Sequence, residues 1–170
     1  MRIEANRPSF TEQGMRGVLI PVGKKHLLLP NVAVAEIISY REPQPQIDTP
    51  NWFLGILDWR GLKIPVITWE RLVEKSEPAW KTQRMYIVIL NTLNKNPVVT
   101  HIGLLSVGIS RLTRIRADIL EEDQEAAIIS PLIKSSVKVT NATADSMIIL
   151  RAWIPDLDQL EKLITPFSSH

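Results

Sequence analysis

The sequence contains no cysteine among its 170 residues. Disulfide bonds, thiolate zinc sites, iron–sulfur clusters and cysteine nucleophiles are therefore excluded. Histidine is scarce: His26, His101 and His170 lie far apart, and none stands at metal-ligand spacing from another histidine or a carboxylate. The sequence thus predicts neither a metal centre nor a cofactor.

Long apolar runs and a strong excess of one charge are missing as well. No segment approaches the roughly 20 apolar residues that a membrane span needs. The first ten residues also lack an apolar run of signal-peptide length. We therefore expect a cytoplasmic protein without direct membrane insertion. The net charge is only +2 although the pI is about 9.0, so charge gives little support for a nucleic-acid partner.

Motifs that would indicate an enzyme are incomplete. Residues 103–110 (G-L-L-S-V-G-I-S) have the glycine spacing of a phosphate-binding loop, but Ile109 occupies the place of the lysine that neutralises the phosphates. No serine lies in a Gly-x-Ser-x-Gly elbow. The acids of residues 118–125 share one polar segment, whereas paired catalytic carboxylates need unequal, partly desolvated surroundings. The sequence predicts a protein that is not an enzyme.

The clearest local signal is a hairpin within residues 51–72. Apolar residues on both faces predict two short strands, buried on both sides, joined by a tight turn at Arg60-Gly61. Gly61 supplies the positive φ of a two-residue turn. Pro65 in the second strand predicts a sheet edge or a bulge. A guanidinium at the tip of an apolar hairpin needs a partner or a route to water.

The rest of the chain consists of short apolar segments between Pro, Gly and Asn turns. About nine or ten strands in all predict small antiparallel barrels or a sandwich. Apolar residues make up 45% of the chain, enough for a sizeable core. The predicted strands outside the hairpin are residues 16–23, 26–29, 85–91, 98–107, 111–116, 137–139 and 147–153.

Four segments complete the prediction. V-A-V-A-E-I-I fits either a short helix capped by Asn31 or a strand. Proline-rich residues 41–51 predict an extended linker, and polar residues 73–83 a loop. Asp118 and Glu121 stand at capping-box spacing and predict a short helix. Residues 155–164 have helical periodicity, and so short a helix must dock on the core to be stable.

The segment G-I-L-D-W-R-G-L-K-I-P-V-I resembles the most recognisable block of the CheW-like domain family, usually Gly-x-x-Asn-Leu-Arg-Gly followed by an apolar strand with proline. The positions that match are Gly55, Arg60, Gly61, Pro65 and Val66. Upstream, Val34, Glu36 and Ile37 occupy the family's Val-x-Glu-Ile segment, and H-I-G-L-L-S-V-G-I-S resembles its second-half strand. The resemblance covers about residues 16–165.

This resemblance implies an all-β fold of two five-stranded SH3-like or OB-like barrels that share a hydrophobic core, with short helices including one at the C-terminus. One barrel is expected from about residues 24–82 and the other from about 16–23 plus 83–153. The C-terminal helix is expected at about 155–164, after a flexible N-terminus of residues 1–15.

The resemblance also implies function. Family members are non-enzymatic, cofactor-free adaptors that couple methyl-accepting chemotaxis receptors to the CheW-like domain of a CheA-type histidine kinase. It implies a bidentate ion pair between Glu36 and Arg60, in which removing one member would cost several kcal/mol if the pair is buried and under about 1 kcal/mol if it is exposed. By position, the implied partner-binding residues are Val34, Glu36, Ile37, Gly55, Arg60 and Leu62.

The sequence departs from the family pattern in three places: Asp58-Trp59 replaces Asn-Leu, Val107 replaces an aspartate, and Trp153 begins a segment that replaces Leu-Leu-Asp. These departures indicate a divergent adaptor, for instance one serving a pilus-motility pathway. The alternative function is a small-barrel nucleic-acid-binding protein, whose affinity would fall steeply with salt.

Overall fold

A computed structural model describes residues 14–80, 84–116, 119–124, 130–142 and 145–168. These residues form eleven β-strands, a short 3₁₀ helix at Asn31–Ala33, a π-helical turn at Glu70–Glu74 and one α-helix. In chain order the elements are β1 Met15–Val22, β2 Lys25–Pro30, β3 Val34–Ser39, β4 Phe53–Trp59, β5 Leu62–Ile67, β6 Met85–Asn91, β7 His101–Val107, β8 Arg111–Ile115, β9 Leu120–Glu122, β10 Ile133–Ala142, β11 Met147–Pro155 and α1 Leu157–Ser168.

The strands form two sheets. One has five strands in the order β3-β6-β7-β5-β4, and the other has six in the order β8-β1-β2-β11-β10-β9. Neighbouring strands are antiparallel except β5 with β7 and β2 with β11, which are parallel. Each sheet curls into an SH3-like barrel, which confirms the predicted all-β, two-barrel fold. The second barrel has one strand more than expected because the short β9 joins its edge.

A shared hydrophobic core lies between the two barrels, as predicted. It takes side chains from β1 and β2 of one barrel and from β6 and β7 of the other. Trp69 and Trp153 are its most deeply buried tryptophans, with ring centroids 6.1 Å apart, and α1 docks on the core through Leu160 and Ile164. Each barrel also encloses a smaller interior of its own. The docking of α1 supplies the support that so short a helix needs.

The strands divide between the barrels differently from the prediction. β2 was expected in one barrel and β1 in the other, but they pair along their length in the six-stranded sheet. The cause is the two-residue turn at Gly23-Lys24, since so short a connection keeps sequential strands adjacent. β6 and β7 lie in the five-stranded sheet instead of the other barrel, because β6 pairs with β3 on one side and β7 on the other.

The central hairpin forms as predicted, by β4 and β5. Its turn places both Arg60 (φ 51°) and Gly61 (φ 77°) in the left-handed region, as a type I′ turn requires. Burial on both faces holds for the inner part of β5, where Ile64 to Ile67 are all buried. On β4, however, buried residues alternate with half-buried or exposed ones, so only one face of this strand is fully covered.

Pro65 does not lie on an edge strand, since β5 runs between β7 and β4. The proline is tolerated because pairing with β7 begins only at the next residue, where Val66 lies opposite Gly103. The irregularity in the hairpin lies instead on β4, between Phe53 and Gly55.

Two segments change type. V-A-V-A-E-I-I combines both alternatives: the 3₁₀ helix is followed by β3, and Pro30 rather than Asn31 holds the N-cap position. The helix predicted near Asp118 is wrong for residues 120–122, which form β9; residues 117–118 and 125–129 lie outside the described residues. These residues pair with β10 instead of forming a helix, and the pairing is extended by Asp123 N, which donates to Ser136 O at 2.8 Å.

The ends of the elements also differ. The loop predicted at 73–83 begins within the π-helical turn, and residues 81–83 are not described. Helix α1 continues past residue 164 to Ser168 despite Pro166 in its last turn, because Phe167 packs edge-on against Trp52 with ring centroids 5.6 Å apart. The flexible N-terminus predicted for residues 1–15 falls almost wholly on residues 1–13, outside the described part of the chain.

Candidate partner-binding site

The predicted pair Glu36 and Arg60 meet in the structure. Arg60 Nη2 lies 3.2 Å from Glu36 Oε2. Glu36 is on β3 and Arg60 is in the turn after β4, and these strands are the two outer strands of the five-stranded sheet. The contact is possible because the sheet curls until its edges approach each other. The ion pair therefore marks the place where this barrel closes.

Trp59 joins this pair. Its indole Nε1–H donates a hydrogen bond to Glu36 Oε2 at 2.8 Å, so one carboxylate oxygen receives both the indole and the guanidinium. The Arg60 guanidinium also lies over the Trp59 ring, 5.2 Å from its centroid. Trp59 is only 8% exposed, whereas the side chain of Arg60 is 69% exposed. A buried ring thus holds an exposed cation in place.

These exposures decide between the two energies expected for the ion pair. With Arg60 69% and Glu36 34% exposed, the salt bridge lies in the solvent-screened regime and contributes under about 1 kcal/mol. The predicted bidentate geometry is not formed. The indole bond to a charged acceptor is worth more, about 1.5–3 kcal/mol.

His101, for which the sequence predicted no metal-ligand role, packs against Trp59 in this group. Its imidazole centroid lies 4.8 Å from that of Trp59, and its Nδ1 lies 3.1 Å from the Thr100 hydroxyl. Burial lowers the pKa of His101 below its ordinary value of 6.5. The ring is therefore mainly neutral at pH 7 and packs against Trp59 without competing with Arg60 for Glu36.

The other predicted site residues divide into two groups. Leu62 and Ile37 are exposed, Leu62 directly beside the turn and Ile37 on β3. Neighbouring residues of a strand point to opposite faces, so Ile37 projects away from Glu36. Val34 is half-buried against the shared core. We call the exposed surface formed by Glu36, Arg60 and Leu62 the hairpin-tip surface.

Gly55 is buried and lies behind this surface. Its φ of 144° and the carbonyl of Gln44 leave no room for a Cβ. The linker strand packs closely there: Gln44 N donates to Ile56 O at 2.8 Å, and Ile56 N donates to Gln44 O at 2.9 Å. Gly55 thus shapes the barrel by admitting the linker and is not itself exposed.

A charged cleft of about 460 Å³ borders the hairpin. Arg41 Nη2 donates to the carbonyl of Asp58 at 3.1 Å, and Lys63 Nζ lies 2.6 Å from the Asp58 carboxylate. Further polar side chains line the cleft: Glu42, Gln44, Gln46 and Ser168. Small-molecule pockets are mostly apolar, so this lining is better suited to the polar rim of a protein interface.

Two further departures from the family pattern lie inside the protein. Val107, at the end of β7, and Trp153, in the shared core, are both buried. They therefore change packing rather than the exposed surface. Among the described residues, no three His, Asp or Glu side chains are grouped to hold a metal ion. Within the same part of the chain, no helix combines the length and apolar character that crossing a membrane requires.

The fold and the site define a class: a two-barrel β domain that presents a charged hairpin tip on a rigid frame. The family model of the CheW-like domain matches residues 16–160. The chain belongs to the CheW-like domain family, whose members are scaffolds of chemotaxis signalling rather than enzymes.

The solved structures agree on the fold. The chain is similar to the scaffolding protein TtCheW from Thermoanaerobacter tengcongensis, with a TM-score of 0.63 and 20% sequence identity over 85% of this chain and 90% of that one. A search of the curated proteins found no match.

Proposed function

We propose that this protein is a cytoplasmic adaptor that couples methyl-accepting chemoreceptors to the CheW-like domain of a CheA-type histidine kinase, in a pathway of the chemotaxis or pilus-motility type. The observation that carries the proposal is the Glu36–Arg60 contact, held on a barrel edge by Trp59, in a chain of this family. We assign partner contact to the hairpin-tip surface and to the exposed Ile37, which projects from the opposite face of β3, with Val34 and Gly55 as supporting residues behind the surface.

The chemistry of this surface suits a protein partner. Arginine is enriched among the residues that dominate binding energy, and exposed apolar side chains beside it exclude water from the contact. Arg60 provides the first feature and Leu62 the second. Because the turn is fixed by two positive φ angles and by the buried Trp59, the surface loses little conformational entropy on binding.

The nucleic-acid alternative gains no specific support from the hairpin. A phosphate-binding face needs uncompensated cations. Here Arg60 is paired with Glu36, and Lys63 is paired with Asp58. The basic side chains of the tip are therefore already matched by acids.

Calorimetric titration with the kinase domain, and separately with a receptor cytoplasmic tip, tests the proposal. We expect the wild-type protein to bind both. Leu62→Lys should weaken binding to at least one of them by about tenfold, because a charge enters the centre of the contact. Leu112→Lys, an equally apolar exposed position on β8 of the other barrel, is the matched control and should bind normally. No binding of the wild-type protein to either partner would refute the proposal.

A further inference from the structure

Two arginines face each other on neighbouring strands of the six-stranded sheet. Arg16 of β1 lies directly opposite Arg114 of β8 in the antiparallel register, and both side chains are exposed. Residues in this relation have Cβ atoms about 4.5–5.5 Å apart, and like charges there destabilise a sheet. The sheet therefore contains a repulsion that a neighbouring anionic group would relieve.

The described acids do not neutralise these arginines. None of the ion pairs within the described residues includes Arg16, Arg111 or Arg114. The charge of Arg111 is also felt by a neighbour: burial, and next this charge, lower the pKa of His26 below its ordinary value of 6.5. Strand β8 is thus a concentrated positive charge in a protein whose net charge is only +2.

The backbone of β8 has an open edge. It is an outer strand, and its partner in the sheet is β1 alone. Among the described residues, no backbone hydrogen bond outside that pairing reaches Arg111–Ile115. An outer strand directs the N–H and C=O groups of alternate residues away from its neighbour, where they can pair with another extended chain.

The charges make this edge selective. Charged side chains on an edge strand normally discourage pairing with a second chain. Here they repel a basic strand, including β8 of a second copy, but they attract an acidic one. Leu112, 76% exposed between the two arginines of β8, adds an apolar contact.

We propose that β8 is a docking edge for an acidic, extended segment of a partner protein, which joins the six-stranded sheet as an antiparallel strand. Antiparallel pairing is the more stable per residue. Acids then lie opposite Arg111 and Arg114, and apolar residues opposite Leu112 and Ile115. In the partner's own chain direction the matching pattern is apolar, acidic, any residue, apolar, acidic.

The geometry of β8 favours a polypeptide over a membrane or a nucleic acid. Arg111 and Arg114 are three residues apart, so they point to opposite faces of the strand. A flat lipid surface cannot meet both, whereas an added strand offers one side chain to each. The strand has no aromatic side chain on which a base could stack. The hairpin-tip surface belongs to the other barrel, so this inference does not depend on the proposed adaptor function.

An NMR titration of the isotope-labelled protein with the end-capped peptide Val-Glu-Thr-Val-Glu tests the proposal. We expect the backbone amide signals of β8 to shift, and Arg114→Glu to bind at least about tenfold more weakly. Lys134→Glu makes the same charge change at an exposed position on β10 and is the matched control, which should bind normally. The peptide Glu-Glu-Thr-Val-Val has the same composition in a different order and should bind at least about tenfold more weakly to wild type.

Two further peptides test the register and the backbone pairing. Val-Lys-Thr-Val-Glu should restore binding to Arg114→Glu, because it places opposite charges together again. Methylating alternate backbone nitrogens of the original peptide gives two versions. Only one of them should lose binding, since a strand pairs with its neighbour through every second residue. The spectra show whether each variant is folded, and the peptide comparisons on wild type decide the question if Arg114→Glu is not.

Three results would overturn the inference: no binding of Val-Glu-Thr-Val-Glu to wild type, equal binding of the two peptides of the same composition, or methylated versions that both bind normally. Phosphatidylserine vesicles and oligothymidine provide the last comparison. If wild type binds either of them more tightly than the peptide, and Arg114→Glu loses that binding, the arginines serve a lipid or a nucleic acid and the acidic strand is refuted.

Discussion

Trp59 and Glu36 are joined by a 2.8 Å hydrogen bond from the indole N–H to Oε2, the same oxygen that Arg60 contacts at 3.2 Å. The bond connects the outer strands of a curled sheet, so it helps to close the barrel and fixes the acid that orients Arg60. Where the family usually has leucine, this chain has a side chain that both packs in the barrel interior and donates a hydrogen bond.

Trp59→Phe tests this bond. A smaller phenyl ring replaces the indole and the N–H donor is lost, and we expect the lost hydrogen bond alone to lower the free energy of unfolding by about 1.5–3 kcal/mol. Trp59→Leu should cost more, because ring packing is lost as well. Urea denaturation measures both. Repeating Trp59→Phe in a Glu36→Ala background is the control, since the N–H then has no acceptor to lose. Equal costs in the two backgrounds would show that the bond contributes nothing.

Gly55→Ala should destabilise the protein by about 2 kcal/mol or more. Its φ of 144° strains any Cβ, and the carbonyl of Gln44 occupies the space that the methyl group would need. Gly61→Ala is the matched control, because Gly61 also has a positive φ but has no atom within 4 Å of an added Cβ. We expect it to cost only about 1 kcal/mol. Thermal melts that rank the two variants in the opposite order would contradict this account of Gly55.

The surroundings of Glu74 predict that the free energy of unfolding depends on pH. Burial, and next the nearby Glu70 carboxylate, raise the pKa of Glu74 above its ordinary 4.5, although Lys24 and Lys25 partly offset them. The folded state therefore binds this proton more tightly than the unfolded state. Its stabilising contribution is present at low pH and is lost as pH rises through the folded-state pKa.

Glu74→Gln measures that contribution. The neutral amide removes the cost of a charged Glu74, so the variant should be more stable than wild type at pH 7 and lose this advantage near pH 4. Urea midpoints at the two pH values give the comparison. Glu77→Gln is the contrasting control. A hydrogen bond from Arg71 lowers the pKa of the Glu77 carboxylate, so this variant should be less stable than wild type at pH 7. A pH-independent difference between Glu74→Gln and wild type would contradict the account.

The sequence predicted the closed turn at Arg60-Gly61 and the approach of Glu36 to Arg60, because a local turn pattern and a family block specify them. It did not reveal Trp59 as the donor. That bond depends on how far the sheet curls, which is a property of distant strands. The charged side chains near Asp118 likewise predicted a helix, but the open edge of β10 offered backbone hydrogen bonds that local propensity cannot foresee.

Strand membership was missed for a related reason. Periodicity located β1, β2 and β6 well, but it contains no information on which sheet each strand joins. The predicted strands 16–23 and 26–29 leave only two residues between them, and so short a connection implies that β1 and β2 are neighbours. The division of strands expected from the family resemblance conflicts with this local constraint.

The affinity of Arg60→Ala for the kinase's CheW-like domain tests the central claim most directly, with Arg114→Ala on β8 as the control. Both arginines are exposed, so the free energy of unfolding of each variant should lie within about 1 kcal/mol of the wild-type value. We predict that Arg60→Ala binds the kinase domain at least about tenfold more weakly while Arg114→Ala binds normally. Equal affinities for the two variants would contradict the assignment of the hairpin-tip surface to partner binding.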